Sequence, residues 1–578
     1  MRLLKLRANH DSFHTVRFNE SGISLIVAKN VTRDTKNTYN SVGKSLTIAL
    51  IHFCLGSNKI EDFEEKLAGW IFYLDFEING TKYTSSRATS RQECIILNNE
   101  ELTLGEFKNR LAKEAFNIQA PIQHLSFRSL ISRFIRPSKS SYNSYFTPIV
   151  QEKDIVQLLN ASYLLGLDIK RVLKKEDLKS QLDDVKTLGD KIEKDPTLKA
   201  FFLDESGEED LEINIVKLED SITRLKDNIN SFVVAEDYTQ VKSEADIISA
   251  KLRKERNEAT KLLVAIKNIE HSLTVKPDIS KQQLIEFYEE AQISLSENIL
   301  KRLEDLEQFN SKILENRSRH LTLQLRELQG KLAVTKATIS QLEQEENKRL
   351  SYLGSHGALD DYSALMKLLS DNETKLNNMK QYKLLISEFK TRQQELKKAF
   401  AEENISTEKY LDSISDVIKK NITLFNSLTE AFYADKPSGI SIKNNEGTNK
   451  KRFDINAKIT DDAGDGVNDV RTFCYDWTLL LGRYNHNIDF IFHDSRIVSG
   501  LDSRQIASML KVAKEHTSLH EYQYILSLNE DNLKGVEGIL SHKEYQELIT
   551  DNITLELTDE SNTGKLLGIQ VDLKYEKD

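Results

Sequence analysis

The sequence predicts an α/β head assembled from both chain ends, with a long antiparallel coiled-coil hairpin inserted between the two lobes. Three observations carry this expectation. Strand patterns with turn signals occur only in the flanks, and neither flank holds a complete α/β unit. The region between them is nearly proline-free, since from Pro196 to Pro437 only Pro277 interrupts. Its apolar residues recur in alternating steps of four and three, the period of helices wound around one another. The expected division is 1–167 for the first lobe, 168–409 for the arm with its tip near 276–295, and 410–578 for the second lobe.

In the first lobe, strands are expected at 1–7, 13–28, 71–87 and 92–98, with Asn79-Gly80 as a hairpin turn. A helix is expected over 45–55, where SLTIALIHFCL is amphipathic. In the arm, Leu211, Ile215, Leu218, Ile222, Leu225, Ile229 and Phe232 begin the heptads. Ile248, Leu252, Ala259, Leu262, Ile266, Ile269 and Leu273 continue them, and Leu321, Leu325, Leu328, Leu332, Ile339 and Leu342 resume after Pro277. Proline removes a backbone donor and clashes with the preceding turn, so its absence permits long helices. The stretch 211–273 would span about 95 Å at the α-helical rise. The break at Val275-Lys276-Pro277-Asp278 favours an internal hairpin over one long parallel dimeric coil, and elbows are expected at 195–210 and 352–361. The second lobe should contain strands at 439–443, 452–459, 487–493 and 522–528, a helix over 502–515, and a final hairpin of 553–557 with 567–575.

Composition narrows the function classes. Of the 578 residues, 29% are charged and 39% hydrophobic, with a net charge of −10. That balance argues against a general basic coat, so any nucleic-acid contact would need a local cluster of Lys and Arg. Cys54, Cys94 and Cys474 are too dispersed for a disulfide framework or a zinc motif, and a reducing cytoplasmic setting is expected. The His residues show no ligand spacing, and the arm carries no Cys-x-x-Cys. No stretch approaches the apolar length that spans a bilayer, and the first residues lack the pattern of a cleaved leader.

Two local motifs suggest a shared phosphate site. Residues 22–28 read as a strand, and Asn40-Ser41-Val42-Gly43-Lys44-Ser45 leads into the helix after it. Backbone N–H groups at such a helix start favour anions, the lysine reaches terminal phosphates, and the hydroxyl can hold Mg²⁺. The usual first glycine of that loop is Thr38, and 29–37 form a polar insertion. Near the other end, the apolar run 488–493 closes on Asp494, as a metal-binding carboxylate at a strand tip requires. Asp502 heads the next helix and could equally be its N-cap. Gly464, Asp465, Gly466, Val467 and Asn468 precede an apolar helix and read either as a functional loop or as an ordinary Gly/Asp turn.

"NSVGKSLTIALIHFCLGS", "LSFRSLISRFIR", "TFCYDWTLL" and "HDSRIVSGLDSRQ" resemble the SMC/RecN superfamily of ABC-type ATPases. More closely, they resemble the SMC-like ATPases of bacterial ABC-three-component systems. The resemblance covers both lobes in sequence and the arm only in pattern. It implies an ABC-type head that dimerises around ATP and Mg²⁺, binds or senses double-stranded DNA, and works in anti-phage or plasmid defence with a small accessory subunit and an effector. The alternative is a nucleotide-binding scaffold that hydrolyses little and positions a partner.

Carried across by position, Asn40, Ser41, Val42, Gly43, Lys44 and Ser45 would bind ATP, with Ser45 and Asp494 on Mg²⁺. Gln123 would read the site, with Gln119 as competitor, and Asp502 would serve as the loop after the carboxylate. Gly464–Asn468 would grip the partner's nucleotide. Arg128, Arg133, Arg136 and Lys139 are candidates for DNA contact, and Lys443, Lys450, Lys451 and Arg452 form a second basic cluster. Two departures bear on catalysis: Ser495 stands where a water-orienting glutamate is usual, and Asn529 where a histidine is usual. A hydroxyl is a poor general base near neutral pH, so turnover should be slow or dependent on a partner.

Overall fold

The computed structural model describes residues 1–29, 42–194, 202, 211–231, 236–274, 297–353, 359–434, 436–460 and 465–575. It divides into a globular unit (Met1–Lys179, Ser280–Asp305 and Phe400–Asp578) and a helical unit (Ser180–Ile279 and Leu306–Ala399). Both divisions at the arm's base fall inside continuous helices, where no sequence break marks them.

The chain opens with strands β1 (Arg2–Ala8), β2 (Val16–Arg17) and β3 (Gly22–Lys29). Helices α1 (Lys44–Cys54) and α2 (Glu61–Lys66) follow, then strands β4 (Ile71–Ile78), β5 (Thr81–Ala88), β6 (Arg91–Leu97) and β7 (Glu100–Thr103). Next come α3 (Leu104–Phe116), α4 (Phe127–Ile131), a 3₁₀ turn at Lys139–Tyr142, α5 (Asp154–Leu164) and α6 (Ile169–Lys194). The middle contributes α7 (Leu211–Asn230), α8 (Glu236–Thr274), α9 (Glu297–Leu353) and α10 (Leu359–Ser413). The last part holds α11 (Ser415–Glu430), β8 (Ser438–Asn444), β9 (Phe453–Ile459), α12 (Asp465–Gly482) and β10 (Phe490–His493). It ends with α13 (Ser503–His520), β11 (Gln523–Asn529), α14 (Glu530–Glu537), α15 (His542–Leu548) and β12 (Ile553–Thr558).

In the globular unit, β2-β1-β4-β5-β6-β7 form an antiparallel sheet. Asn79 and Gly80 both take positive φ (50° and 79°) between β4 and β5, as the tight hairpin turn demands. A second sheet, β10-β11-β3-β12, is parallel throughout. Its central β3, GISLIVAK, is apolar on both faces and buried along Ile23–Ala28, as a covered parallel strand should be. Strands from both chain ends thus pair within one sheet. Helix α1 touches β4 and β5 of one sheet and β3 and β11 of the other. Nearly every residue of α1 is therefore buried, Lys44 and His52 included, and the expected amphipathic helix is a core helix. Two arginines cap its C-terminal end: Arg87 donates to the carbonyls of Phe53 and Ser57, and Arg128 to that of Leu55 and to His52 Nδ1. Cations there offset the unpaired carbonyls and the negative end of the helix dipole.

Some expected elements differ. The stretch 13–28 is two strands, because Gly22 takes φ 93° and turns the chain between them. Strand β7 had no signal. The final hairpin does not form: Ile553–Thr558 pairs parallel with β3. Leu566 and Leu567 are buried instead, with Leu566 N–H bonded to the Val42 carbonyl and the Leu567 carbonyl accepting from Ser12 Oγ.

In the helical unit, Ile215, Ile222, Leu225, Ile229, Ile248, Leu252, Ala259, Leu262, Ile266 and Leu332 of the expected heptads are buried, and Phe232 lies outside the described residues. Ile222, Leu225 and Ile229 pack with Tyr362 and Leu369, and Ile215 with Met379 and Tyr382. Ala259, Leu262 and Ile266 meet Leu332. Residue numbers rise along one helix as they fall along its partner, so the pairing is antiparallel and within one chain. Ion pairs such as Lys380–Glu219 and Arg256–Glu343 line the exposed rims. Such pairs add little beside the apolar seam. Within the expected outgoing stretch 211–273 the described residues form α7 and α8; residues 232–235, the hairpin tip at 276–295 and most of the expected elbows at 195–210 and 352–361 fall outside the described residues. No helix among the described residues is long and apolar enough to cross a membrane.

Candidate functional site

The parallel sheet fixes the site, because its strand order places β11 between β3 and β10. Side chains at the carboxyl ends of neighbouring parallel strands converge at one edge, where ligands of such sheets bind. Gly43 follows β3 at the start of α1, Asn529 ends β11, and Asp494 directly follows β10.

Gly43 has φ 109°, and a Cβ there would stand 2.5 Å from Leu566 Cβ. Both its backbone and its surroundings therefore require glycine. Lys44, 5% exposed, donates from Nζ to Asn529 Oδ1 at 2.6 Å. Burial brings its ammonium down to about 8, with Asp494 opposing the shift and Lys139 adding to it. Ser45 Oγ donates to Asp494 Oδ2 at 2.8 Å. The other carboxylate oxygen, Oδ1, accepts from Ser495 Oγ at 2.9 Å and Ser527 Oγ at 3.1 Å. The Asp494 amide donates to Tyr142 Oη at 2.7 Å. A 6%-exposed carboxylate is thus held through both oxygens and its own backbone.

Behind it lies a buried polar layer. Asp476 of α12 accepts from Arg136 Nε (2.7 Å) and Nη2 (2.8 Å), and His493 Nε2 stands 3.0 Å from Asp476 Oδ2. Burial would raise the Asp476 carboxyl, but Arg136 and His493 together pull it below its ordinary value. Burial lowers His493 against the raising effect of Asp476, and its Nδ1 stands 3.2 Å from Tyr524 Oη.

The structure brings Lys44, Ser45 and Asp494 together with Val42 and Gly43. Asn40, Ser41 and Gly464 lie outside the described residues. Asp465 opens α12, so Gly466, Val467 and Asn468 belong to a first helical turn. A Cβ on Gly466 would meet the Gly500 carbonyl at 2.5 Å, and Gly500 N–H donates to Asp469 Oδ2 at 3.0 Å. Asp502 caps α13, accepting from the Gln505 amide at 2.9 Å. Gln123 is exposed in the turn 122–125 and is not hydrogen-bonded to the Lys44–Ser45–Asp494 group.

Three of the DNA-contact candidates are engaged within the fold. Arg128 is spent on the end of α1. Arg133 is 2% exposed and paired with Glu152 at 2.6 Å, and Arg136 is 1% exposed and clamped on Asp476. Their spacing reflects partners on several elements, not one cationic face. Arg452 of the second basic cluster is also buried, among Asn404, Asn444 and Asn445. Lys139 remains exposed. Sequence reasoning missed Tyr142, Ser527 and the bond from Lys44 to Asn529. Only Asn529 carried a signal, as a polar residue ending an apolar strand.

The residues present suit a polyphosphate with a divalent cation. The lysine is buried at a helix start, and the hydroxyl and carboxylate already face each other across 2.8 Å, as two ligands of one cation would. Fold and geometry define a lysine–serine–aspartate centre at the carboxyl edge of a parallel sheet. Residues 428–571 match the family described as an uncharacterised protein conserved in bacteria (DUF2326), a span that includes Asp494 and Asn529 but not Lys44. The chain is also similar to a solved Smc head domain with a coiled coil and joint derived from Pyrococcus yayanosii. That similarity has 13% identity and a TM-score of 0.38, covering 98% of this chain and 96% of that one. No curated protein matches.

Proposed function

We propose that this chain is an SMC-like ATPase whose globular units pair around ATP and Mg²⁺, with hydrolysis that is slow or governed by a partner. The observation that carries the reading is the convergence of Lys44, Ser45 and Asp494 on one sheet edge from positions 449 residues apart. Lys44 would meet the terminal phosphates, giving up Asn529 or sharing it. Ser45 and Asp494 would exchange their mutual hydrogen bond for the metal. Mg²⁺, when bound with the nucleotide, neutralises charge on the β- and γ-phosphates. The second reading, a nucleotide-gated scaffold, is favoured by Ser495, whose hydroxyl is directed to Asp494 Oδ1 where a base for water would be needed. Of the four DNA-contact candidates only Lys139 is exposed, so DNA contact on this unit would rest on Lys139 and on the exposed Lys443, Lys450 and Lys451. The roles in defence, with an accessory subunit and an effector, rest on the resemblance alone.

The test is Mg²⁺-dependent binding and steady-state hydrolysis of ATP, with and without linear double-stranded DNA, against Lys44→Ala. Loss of binding in Lys44→Ala supports the site, and unchanged affinity refutes it. Binding with negligible turnover under every condition selects the scaffold.

A further inference from the structure

The turn Lys139–Tyr142 is where the centre meets the first turn of α12. Tyr142, 2% exposed, makes two hydrogen bonds that face in different directions. Its hydroxyl accepts the Asp494 amide at 2.7 Å, and its carbonyl accepts Asn468 Nδ2 at 3.0 Å. One residue thus joins the backbone of the carboxylate to the helix start expected to face a partner's nucleotide. The ring has little freedom: its edge contacts His493 (centroids 6.2 Å apart, 69° between planes) and the Arg136 guanidinium lies over it at 5.7 Å. Two further ties hold the same pair of segments together. Asp476 of α12 binds His493, the residue before Asp494, and Asp469 of α12 binds the Gly500 amide just beyond it. Contiguous packed and hydrogen-bonded groups of this kind are the contacts through which two sites can be coupled, and a double-mutant cycle tests that coupling.

We propose that Tyr142 is a positioning residue that couples the first turn of α12 to Asp494, so that engaging one sets the backbone of the other. The assignment of those two ends to ATP rests on the function proposed above, whereas the coupling itself belongs to the empty protein. Removing the hydroxyl leaves the buried Asp494 amide without an acceptor, and loss of Asn468 loosens the turn that carries the hydroxyl. Each change should therefore be felt at Asp494.

The experiment is residue-resolved hydrogen exchange on the full chain without nucleotide, comparing wild type, Tyr142→Phe, Asn468→Ala and the double variant. Tyr142→Phe should speed exchange of the Asp494 amide by roughly tenfold, the effect of one buried hydrogen bond. Asn468→Ala should speed it by a smaller factor, and the double variant should exchange no faster than Tyr142→Phe, because the two act along one line. Amides of β3 and β11 should not change. Equal protection of Asp494 in Asn468→Ala and wild type overturns the proposal, as does multiplication of the two effects in the double variant. Asn468→Ala lies at a half-exposed position, so the question stays decidable if Tyr142→Phe fails to fold. A second readout is the Mg²⁺ concentration for half-maximal binding of a fluorescent ATP analogue. It should rise about tenfold in Tyr142→Phe while binding in excess chelator stays the same; equal loss in both would mean a merely structural role and overturn the assignment. If wild type binds no nucleotide, the function proposed above fails, and the exchange result still decides the coupling.

Discussion

Arg136→Leu should destabilise the globular unit by about 3–5 kcal/mol, the usual cost of removing one partner of a buried ion pair. The magnitude follows from geometry. Both side chains are essentially inaccessible, at 0% and 1%, and the guanidinium meets both Asp476 oxygens, at 2.7 and 2.8 Å. It also donates to the carbonyls of Ser141, Ser144 and Tyr145, which would lose their partner as well. The variant leaves a buried carboxylate facing only His493. Replacing Asp476 with Leu in the same chain removes that charge and should recover part of the loss. Recovery will be incomplete, because His493 then lacks its acceptor, at about 1–3 kcal/mol. The assay is urea unfolding followed by tryptophan fluorescence. The protein has two tryptophans, Trp70 and Trp477, and both lie in the globular unit, so the signal omits the arm. Lys139→Ala is the control and should shift stability by no more than about 0.5 kcal/mol, as exposed substitutions do. A loss below about 1 kcal/mol in Arg136→Leu, or weaker DNA binding with unchanged stability, would refute the structural role.

Other outcomes are expected. Gly43→Ala should cost about 2–4 kcal/mol in the same assay, combining a positive φ with a methyl driven against Leu566; an effect below 1 kcal/mol would mean the 566–568 segment moves aside freely. ATP affinity should fall as pH rises through about 8, because burial makes Lys44 lose its proton there and phosphate needs the charged form. The empty protein should move the opposite way and gain stability from about pH 8 toward the ordinary lysine value, since the unfolded chain holds that proton more tightly. Lys44→Arg should abolish the pH dependence of binding, and a pH-independent wild type would show that the lysine does not meet phosphate. Asp494→Asn should raise the Mg²⁺ needed for nucleotide binding at least about tenfold, measured by titration at fixed ATP analogue.

What was legible in the sequence was what is local. Gly43-Lys44-Ser45 carries its context with it, an apolar strand before and a helix after. Asp494 likewise closes an apolar run, and the heptads state their own seam. The basic residues at 128–136 show the complementary case. A cation's role depends on its partner, and the partner of Arg136 stands 340 residues away. Nothing in the spacing of Arg128, Arg133 and Arg136 separates an exposed face from pairings on different elements, two of them buried. Tyr142 was invisible on the same grounds, since an aromatic residue in a serine-rich turn has no pattern until β10 is placed beside it.

The order β10-β11-β3 explains both the successes and the misses. Each strand's end was foreseeable, but their lateral order is written in no motif; it follows from pairing across the whole chain. That order puts Ser527 and Asn529 between the two halves of the centre, so two of the residues that orient Lys44 and Asp494 come from the strand that carried no motif of its own. A site assembled from strand tips therefore shows its reactive groups in sequence and hides the groups that tune them. At this centre the tuning groups are hydroxyls and an amide. Such groups can orient a bound nucleotide but cannot take a proton from water, so under the function proposed above nucleotide binding should outlast any loss of hydrolysis.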